Sequence, residues 1–164
     1  MQVWFSPVAP QEAEMLSEFA SGIVRRHFDP LIGTAQNDYM IAKFQAPEAI
    51  RQQLASGYQY YWVRADGETA GFLAFYPRDG KLYLSKFYLA EAFRGKHLAR
   101  RMLDFIVSAA KAAALPAIFL NVNRDNAQVI AIYEHLGFVK VREEKNDIGG
   151  GFFMDDYVLE YACR

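Results

Sequence analysis

Cysteine is almost missing from this chain of 164 residues: Cys163 is the only one. A single thiol excludes an intrachain disulfide and a cysteine metal cluster, and with no motif around it Cys163 makes a poor candidate nucleophile. Histidine is nearly as scarce. His27, His97 and His135 stand at no metal-ligand spacing, so no metal site is expected. Excess charge is lacking too, the formal net charge being -1. A general nucleic-acid binder needs surplus cations against phosphate backbones, so nucleic acid is not an expected partner. No apolar run approaches the roughly 18 residues that suggest a membrane span, so no membrane partner is expected either. The start, Met1-Gln-Val-Trp-Phe-Ser-Pro7, has no basic stretch leading into an apolar one and reads as no signal peptide. A cytoplasmic protein is the expectation.

What is there is apolar substance. Hydrophobic residues make up 52% of the chain, which places it among globular proteins of ordinary domain length. No internal repeat, low-complexity stretch or linker interrupts it, so residues 1–164 are expected to form one α/β domain. Gln2 to Phe5 suits a short strand stopped by Pro7. Ala13, Leu16, Phe19, Ala20, Ile23 and Val24 recur at helical spacing, from Pro10 through about Phe28, before Asp29-Pro30 and Gly33-Thr34 break the pattern. A short helix is expected over Asp38 to Phe44, and another from Pro47 with Ile50 and Leu54 on one face and Gly57 past its end.

Three strand-like runs follow, Tyr58 to Ala65, Thr69 to Tyr76 and Lys81 to Leu89, separated by Asp66-Gly67 and Arg78-Asp79-Gly80. Aspartate-glycine pairs are hairpin chemistry, so these runs form a meander. The third run leads into Glu91-Ala-Phe-Arg-Gly-Lys-His-Leu-Ala-Arg-Arg-Met-Leu103, where Gly95 sits among basic side chains at the head of an amphipathic helix. Free N–H groups and the helix dipole favour an anion there. Alone this is a generic cradle, open to nucleotides, sulfate or a phosphosugar. Ala117 to Val122 then reads as a buried strand, parallel to its neighbour across the helix. Asp125 or Asn126 can cap a helix carrying Val129, Ile130 and Tyr133, which Gly137 ends. Phe138 to Glu143 and Phe152 to Tyr161 are the last two strands.

Three motifs in this order resemble the GNAT superfamily of acyl-CoA-dependent N-acyltransferases. They are Arg94-Gly95-Lys96-His97-Leu98-Ala99, Leu120-x-Val122-x-x-x-Asn126, and Asn126-x-x-Val129-x-x-x-Tyr133-x-x-x-Gly137-Phe138. The resemblance spans nearly the whole chain and is strongest from about Leu82 to Phe138. In the first motif His97 stands where the family has a glycine. Its Cβ restricts the φ > 0 values a glycine permits, while the right-handed helical region stays open to it.

The resemblance implies a mixed, mostly antiparallel sheet of about seven strands, splayed between strands 4 and 5 and flanked by about four to five helices. It also implies coenzyme A as donor. Backbone groups of Phe87, Tyr88 and Leu89 would bond the pantetheine arm, and Arg94, Gly95, Lys96, His97, Leu98 and Ala99 the pyrophosphate. Arg100 and Arg101 would face the 3′-phosphate or simply be solvated helix residues. Asn126 would meet the pantetheine, the Tyr133 hydroxyl would protonate the leaving thiolate, and the Leu89 N–H would steady the oxyanion.

Structural readings stand beside these: Tyr133 as a core tyrosine, Asn126 as a plain N-cap. Several relatives place a glutamate base where this chain has Ser85, so water or a carboxylate such as Asp155 or Asp156 would take the amine's proton. The alternative for that pair is a solvated edge or a substrate-amine contact. Tyr39, Phe44, Tyr60, Trp62 and Phe152 would line the acceptor pocket, although the aromatics from Tyr58 to Val63 also suit a core. Acidic groups beside Gly149-Gly-Gly151 suit a cationic acceptor. The implied activity is acetyl transfer from acetyl-CoA to a primary amine of a small molecule or peptide, without a metal, and since dimers are frequent among relatives a homodimer is the implied assembly. Ser85 keeps open a non-catalytic acyl-CoA sensor.

Overall fold

A computed structural model describes residues 1–163, with the side chains of Val24, His27 and Phe28 outside that description. The expectations placed on those three side chains therefore lie outside the described residues. Strand β1 (Val3–Pro7) leads to a 3-10 turn, Pro10–Glu12, and helix α1 (Ala13–Ile32). Proline opens that turn because its fixed φ suits a first helical position. Glu12 Oε1 accepts the Ala9 N–H at 2.9 Å, bracing the entry. The helix does not stop at Asp29-Pro30 as the sequence suggests. It carries Pro30 inside and ends at Gly33, whose φ of 86° turns the chain and whose N–H bonds Asp29 O at 3.0 Å. The next helix, α2 (Thr34–Met40), consequently begins earlier than Asp38, and a π-helical turn, Ile41–Gln45, takes the place of its expected second half. Helix α3 (Pro47–Ala55) follows as expected.

The meander is β2 (Gln59–Ala65), β3 (Glu68–Arg78) and β4 (Lys81–Leu89). Asp66 and Gly67, like Asp79 and Gly80, all have positive φ, the backbone of the tight hairpin turn that matches strand twist. A second 3-10 turn, Glu91–Phe93, precedes α4 (Leu98–Ala112), after which come β5 (Ala117–Asn123), α5 (Ala127–Leu136), β6 (Val139–Gly149) and β7 (Phe152–Ala162). The last hairpin is longer than Phe138 to Glu143 implied.

The strand order is β1-β2-β3-β4-β5-β7-β6, a seven-stranded mixed sheet in an α/β fold. Its parallel pair is β4 with β5, in register at Leu82–Ile118 and Tyr83–Phe119, while β4 itself continues to Leu89.

The chain divides into two compact units. One is Met1–Phe75 with Lys86–Lys96, the other Tyr76–Ser85 with His97–Arg164. The first unit packs Leu16, Ala20, Ile50, Tyr60, Trp62 and Phe72 into a core, with Phe19 meeting the edges of Trp62 and Phe72. Each such large side chain contributes about 1.5–3 kcal/mol on burial. The second buries Leu98, Met102, Leu103, Ile106 and Ala110 of α4, one stripe at helical spacing, beside the apolar strand β5. Among the described residues no helix is long and apolar enough to cross a membrane.

Candidate functional site

The run from β4 into α4 is shaped by two left-handed residues. Ala90 N–H bonds Ala70 O at 2.8 Å and closes the end of the strand. Arg94 is exposed, and its Nε donates to Leu89 O at 3.4 Å. Gly95 turns at φ 74°, and an added Cβ there would meet nothing within 4 Å. Lys96 lays its ammonium 5.6 Å from the centre of the Phe93 ring.

His97 does not take the right-handed conformation that the sequence left open to it. It sits at φ 60° and ψ 18°, the left-handed region, as N-cap of α4. Histidine is among the residues that tolerate this region better than most, so it reproduces the backbone a glycine would give. Its side chain makes no capping bond to the helix. The first N–H groups of α4, which have no intrahelical acceptor, therefore have no side-chain cap and form a ready anion site. Leu98 is buried in the core and can offer only backbone, and Ala99 is half-buried. Arg100 donates to Leu136 O at 3.3 Å, serving the last turn of α5, and Arg101 is exposed.

In the first unit, Phe87, Tyr88 and Leu89 are half-buried on β4. Tyr88 packs on Phe72 with ring centroids 5.3 Å apart, and burial pushes its phenol up to about 12. Behind it, a Cβ on Gly71 would lie 2.1 Å from the Tyr88 carbonyl oxygen, so only glycine fits that position of β3. Tyr39 and Phe44 are half-buried near the π-helical turn, a type of segment common at functional sites. Tyr60 and Trp62, expected as possible pocket residues, are each 2% exposed and belong to the core. Lys86, one residue before Phe87, is half-buried beside Phe44, with its Nζ 5.9 Å from the ring centre. Burial pushes its ammonium down to about 8.

In the second unit, Asn126 caps α5, its Oδ1 accepting the Val129 N–H at 3.4 Å. The helix closes at Gly137 with φ 112°. Tyr133 is 9% exposed and meets Phe138 edge to face at 5.4 Å. The acidic pair separates: Asp155 is exposed while Asp156 is buried. It does not lie at a solvated edge, because β7 is flanked by β5 and β6, with Asp156 opposite both Asn123 and Glu144. Asn121 Nδ2 reaches Asp156 Oδ2 at 3.3 Å and Glu144 Oε2 at 3.0 Å, and Tyr83 OH bonds Asn121 Oδ1 at 3.2 Å. Among the described residues, Asp156 Oδ1 has no hydrogen-bond partner. Burial, against the Asn121 bond and with Glu144 and Asp155 nearby, pushes the Asp156 carboxyl up to about 6. Glu144 is held down instead, chiefly by its bonds from Asn121 and Asn146. Phe152 and Ser85 are half-buried.

Gly71, Lys86 and the Asn121 network were not singled out by the sequence reading. Asn121 was visible as a polar residue inside the apolar run Ala117 to Val122, and Lys86 as a charge within a strand of Leu and Tyr. Among the described residues no group of three or more His, Cys, Asp or Glu side chains could hold a metal ion.

The chain matches the Acetyltransferase (GNAT) family over residues 28–138. An uncharacterized N-acetyltransferase, YjgM of Escherichia coli strain K12, is 29% identical over 109 residues, which is 64% of this chain and 65% of that protein's length. Solved structures share the fold. The PaiA N-acetyltransferase of Thermoplasma acidophilum, in complex with coenzyme A, has a TM-score of 0.79 at 18% identity, covering 99% of both chains. The ribosomal-protein-S18-alanine N-acetyltransferase of Escherichia coli has a TM-score of 0.69 at 16% identity, covering 99% of this chain and 94% of that one. A family match over residues 28–138, more than half of the chain, makes this protein a member of the GNAT acetyltransferase family.

Proposed function

We propose that this protein transfers an acetyl group from acetyl-CoA to a primary amine of a small molecule or peptide. The observation that carries this reading is the left-handed turn at Gly95 and His97, which opens α4 with uncapped N–H groups in a chain of this family. Those N–H groups, from Gly95 to Ala99, hold the pyrophosphate, with Arg94 and Lys96 adding charge. Arg100 and Arg101 stand ready for the 3′-phosphate. Backbone groups of Phe87 to Leu89 bond the pantetheine arm as an added strand would, and Asn126 shapes its turn. The coenzyme A complex of the Thermoplasma protein supports the same donor here.

The amine nitrogen attacks the thioester carbonyl carbon. The C–N bond forms, the C–S bond breaks, and Tyr133 OH gives its proton to the leaving thiolate. The Leu89 N–H hydrogen-bonds the carbonyl oxygen as charge gathers on it. Ser85 offers no base, so the amine's proton leaves to water or to a carboxylate. Asp156, held near neutrality by burial, is the best-tuned one. Tyr39, Phe44, Phe152 and Asp155 contribute to acceptor binding, and a cytoplasmic homodimer belongs to the same proposal.

Thiol release from acetyl-CoA across an amine panel tests the reading, with Tyr133→Phe alongside. Turnover that falls in the variant supports it. Tight coenzyme A binding by calorimetry, lost in Gly95→Glu but accompanied by no turnover with any amine, would favour a non-catalytic acyl-CoA sensor instead.

A further inference from the structure

We propose that Lys86, together with Lys43 and Phe44, forms a carboxylate-recognition point, so that the preferred acceptor is an amine that also carries a carboxylate. The proposal rests on the acetyl-transfer reading above and names its substrate class. Lys86 lies on β4 immediately before the stretch assigned to the pantetheine arm. Its ammonium stands 5.9 Å from the centre of the Phe44 ring, and Lys43 Nζ stands 5.4 Å from the same ring and 5.8 Å from that of Tyr39. Two cations thus converge on one aromatic side chain.

Among the described residues, Lys86 has no carboxylate partner. Five acids of this unit bond elsewhere: Asp38 with Arg25, Glu91 with Arg26, Glu14 and Glu48 with Arg51, and Asp29 with Asn37. A half-buried cation facing only a ring is costly to keep without a counter-ion, and a ligand anion would supply one. Burial acting without any compensating acid pushes its pKa down to about 8. The same π-helical turn carries a second unmatched group. Gln45 is 4% exposed, and among the described residues its Oε1 has no donor. An orphaned buried carbonyl calls for an N–H, and an unpaired ammonium calls for a carboxylate. A ligand with both, such as an amino acid, matches the pair. The exposed acid Asp155 had suggested a cationic acceptor, but Asp156 beside it is buried, which leaves little of that patch.

The first test does not depend on turnover. The protein is labelled with 13C-lysine, and the Lys86 Cε resonance, assigned by its loss in Lys86→Met, is titrated with and without phenylacetate. The expected result is a rise in the Lys86 pKa on adding phenylacetate. A titration curve that phenylacetate leaves in place overturns the proposal. The second test compares phenylalanine with phenethylamine as acceptors. The carboxylate should raise kcat/KM about 10- to 100-fold, the range of a hydrogen bond to a charged group. Lys86→Met should erase that preference and Lys86→Arg should keep part of it. Equal kcat/KM for the two amines in the wild-type protein also overturns it. If phenylacetate moves the titration while no amine is acetylated, the anion point stands and the transfer reading fails.

Discussion

The two units each bury a group that water would keep charged, and they treat it differently. Lys86 faces an aromatic ring and no acid, so burial alone lowers its pKa. Asp156 is pushed up by burial as well, but one of its oxygens takes a hydrogen bond from Asn121, which also holds Glu144 and is itself held by Tyr83. Both environments favour the neutral form. Only the second is a built network. In the proposed reading the first unit offers backbone, β4 from Phe87 to Leu89 with Gly71 making room behind it, whereas the second offers side chains, Asn126 and Tyr133. The difference teaches that the same burial can leave a cation against a ring with no acid, or hold one oxygen of a carboxylate in a network while its other oxygen stays unmatched.

The widest break in this contrast should come from removing one hydroxyl on each side. Tyr133→Phe is expected to lower kcat by about 100-fold or more, the range of general acid catalysis. Tyr88→Phe in the first unit should change kcat little, since its strand acts through backbone. Steady-state rates check both, and an equal loss in the two would erase the division of labour.

Next in size is the pH dependence of stability. The folded pKa of Asp156 lies above its unfolded value, so the native state holds the proton more tightly, and stability falls as pH rises from about 4 through about 6. Asp156→Asn is expected to be more stable than wild type by on the order of 3 kcal/mol at about pH 8, with the advantage gone at about pH 4. Lys86 gives the opposite slope. Its folded pKa is depressed, so stability rises as pH climbs from about 8 towards its unfolded value, and Lys86→Met should gain most at neutral pH. Urea unfolding across this range reads both, and parallel profiles for wild type and variants would remove the electrostatic account.

Smaller is the steric term. Gly71→Ala should cost about 1–3 kcal/mol, because the new methyl would press on the Tyr88 carbonyl. Gly95→Ala, in open space, carries only the left-handed penalty of about 1–2 kcal/mol. Thermal unfolding should rank the two in that order. The smallest effect belongs to the cap. Asn126→Ala should lose about 1 kcal/mol and Asn126→Asp should keep most of it, as denaturation midpoints will show.

Much of the fold was legible because its signals are local. Asp66-Gly67 and Asp79-Gly80 can close hairpins wherever they occur, Asn126 and Gly137 bracket a helix by their own chemistry, and the stripe from Leu98 to Ala110 follows one period. The misses were contests between local and tertiary preference. Pro30 reads as a stop, yet α1 continues to Ile32, and the break falls at Gly33, where the backbone turns left-handed. His97 reads as a departure from glycine, yet it takes glycine's conformation. The order of the motifs was enough to reach the family, but Asp155 and Asp156 look alike in a sequence.

By itself, then, the sequence determined the succession of strands and helices, the glycine turn ahead of α4 and the family, because turn chemistry, capping and hydrophobic period act over a few residues. The tertiary structure alone decided that Asp156 is enclosed by β5 and β6 while Asp155 is exposed, that Gly71 must lack a side chain, and that Lys86 has a ring in place of an acid. Burial and the identity of a neighbour across a strand depend on residues far apart in the chain. No local pattern can state what lies opposite a side chain once the sheet has formed.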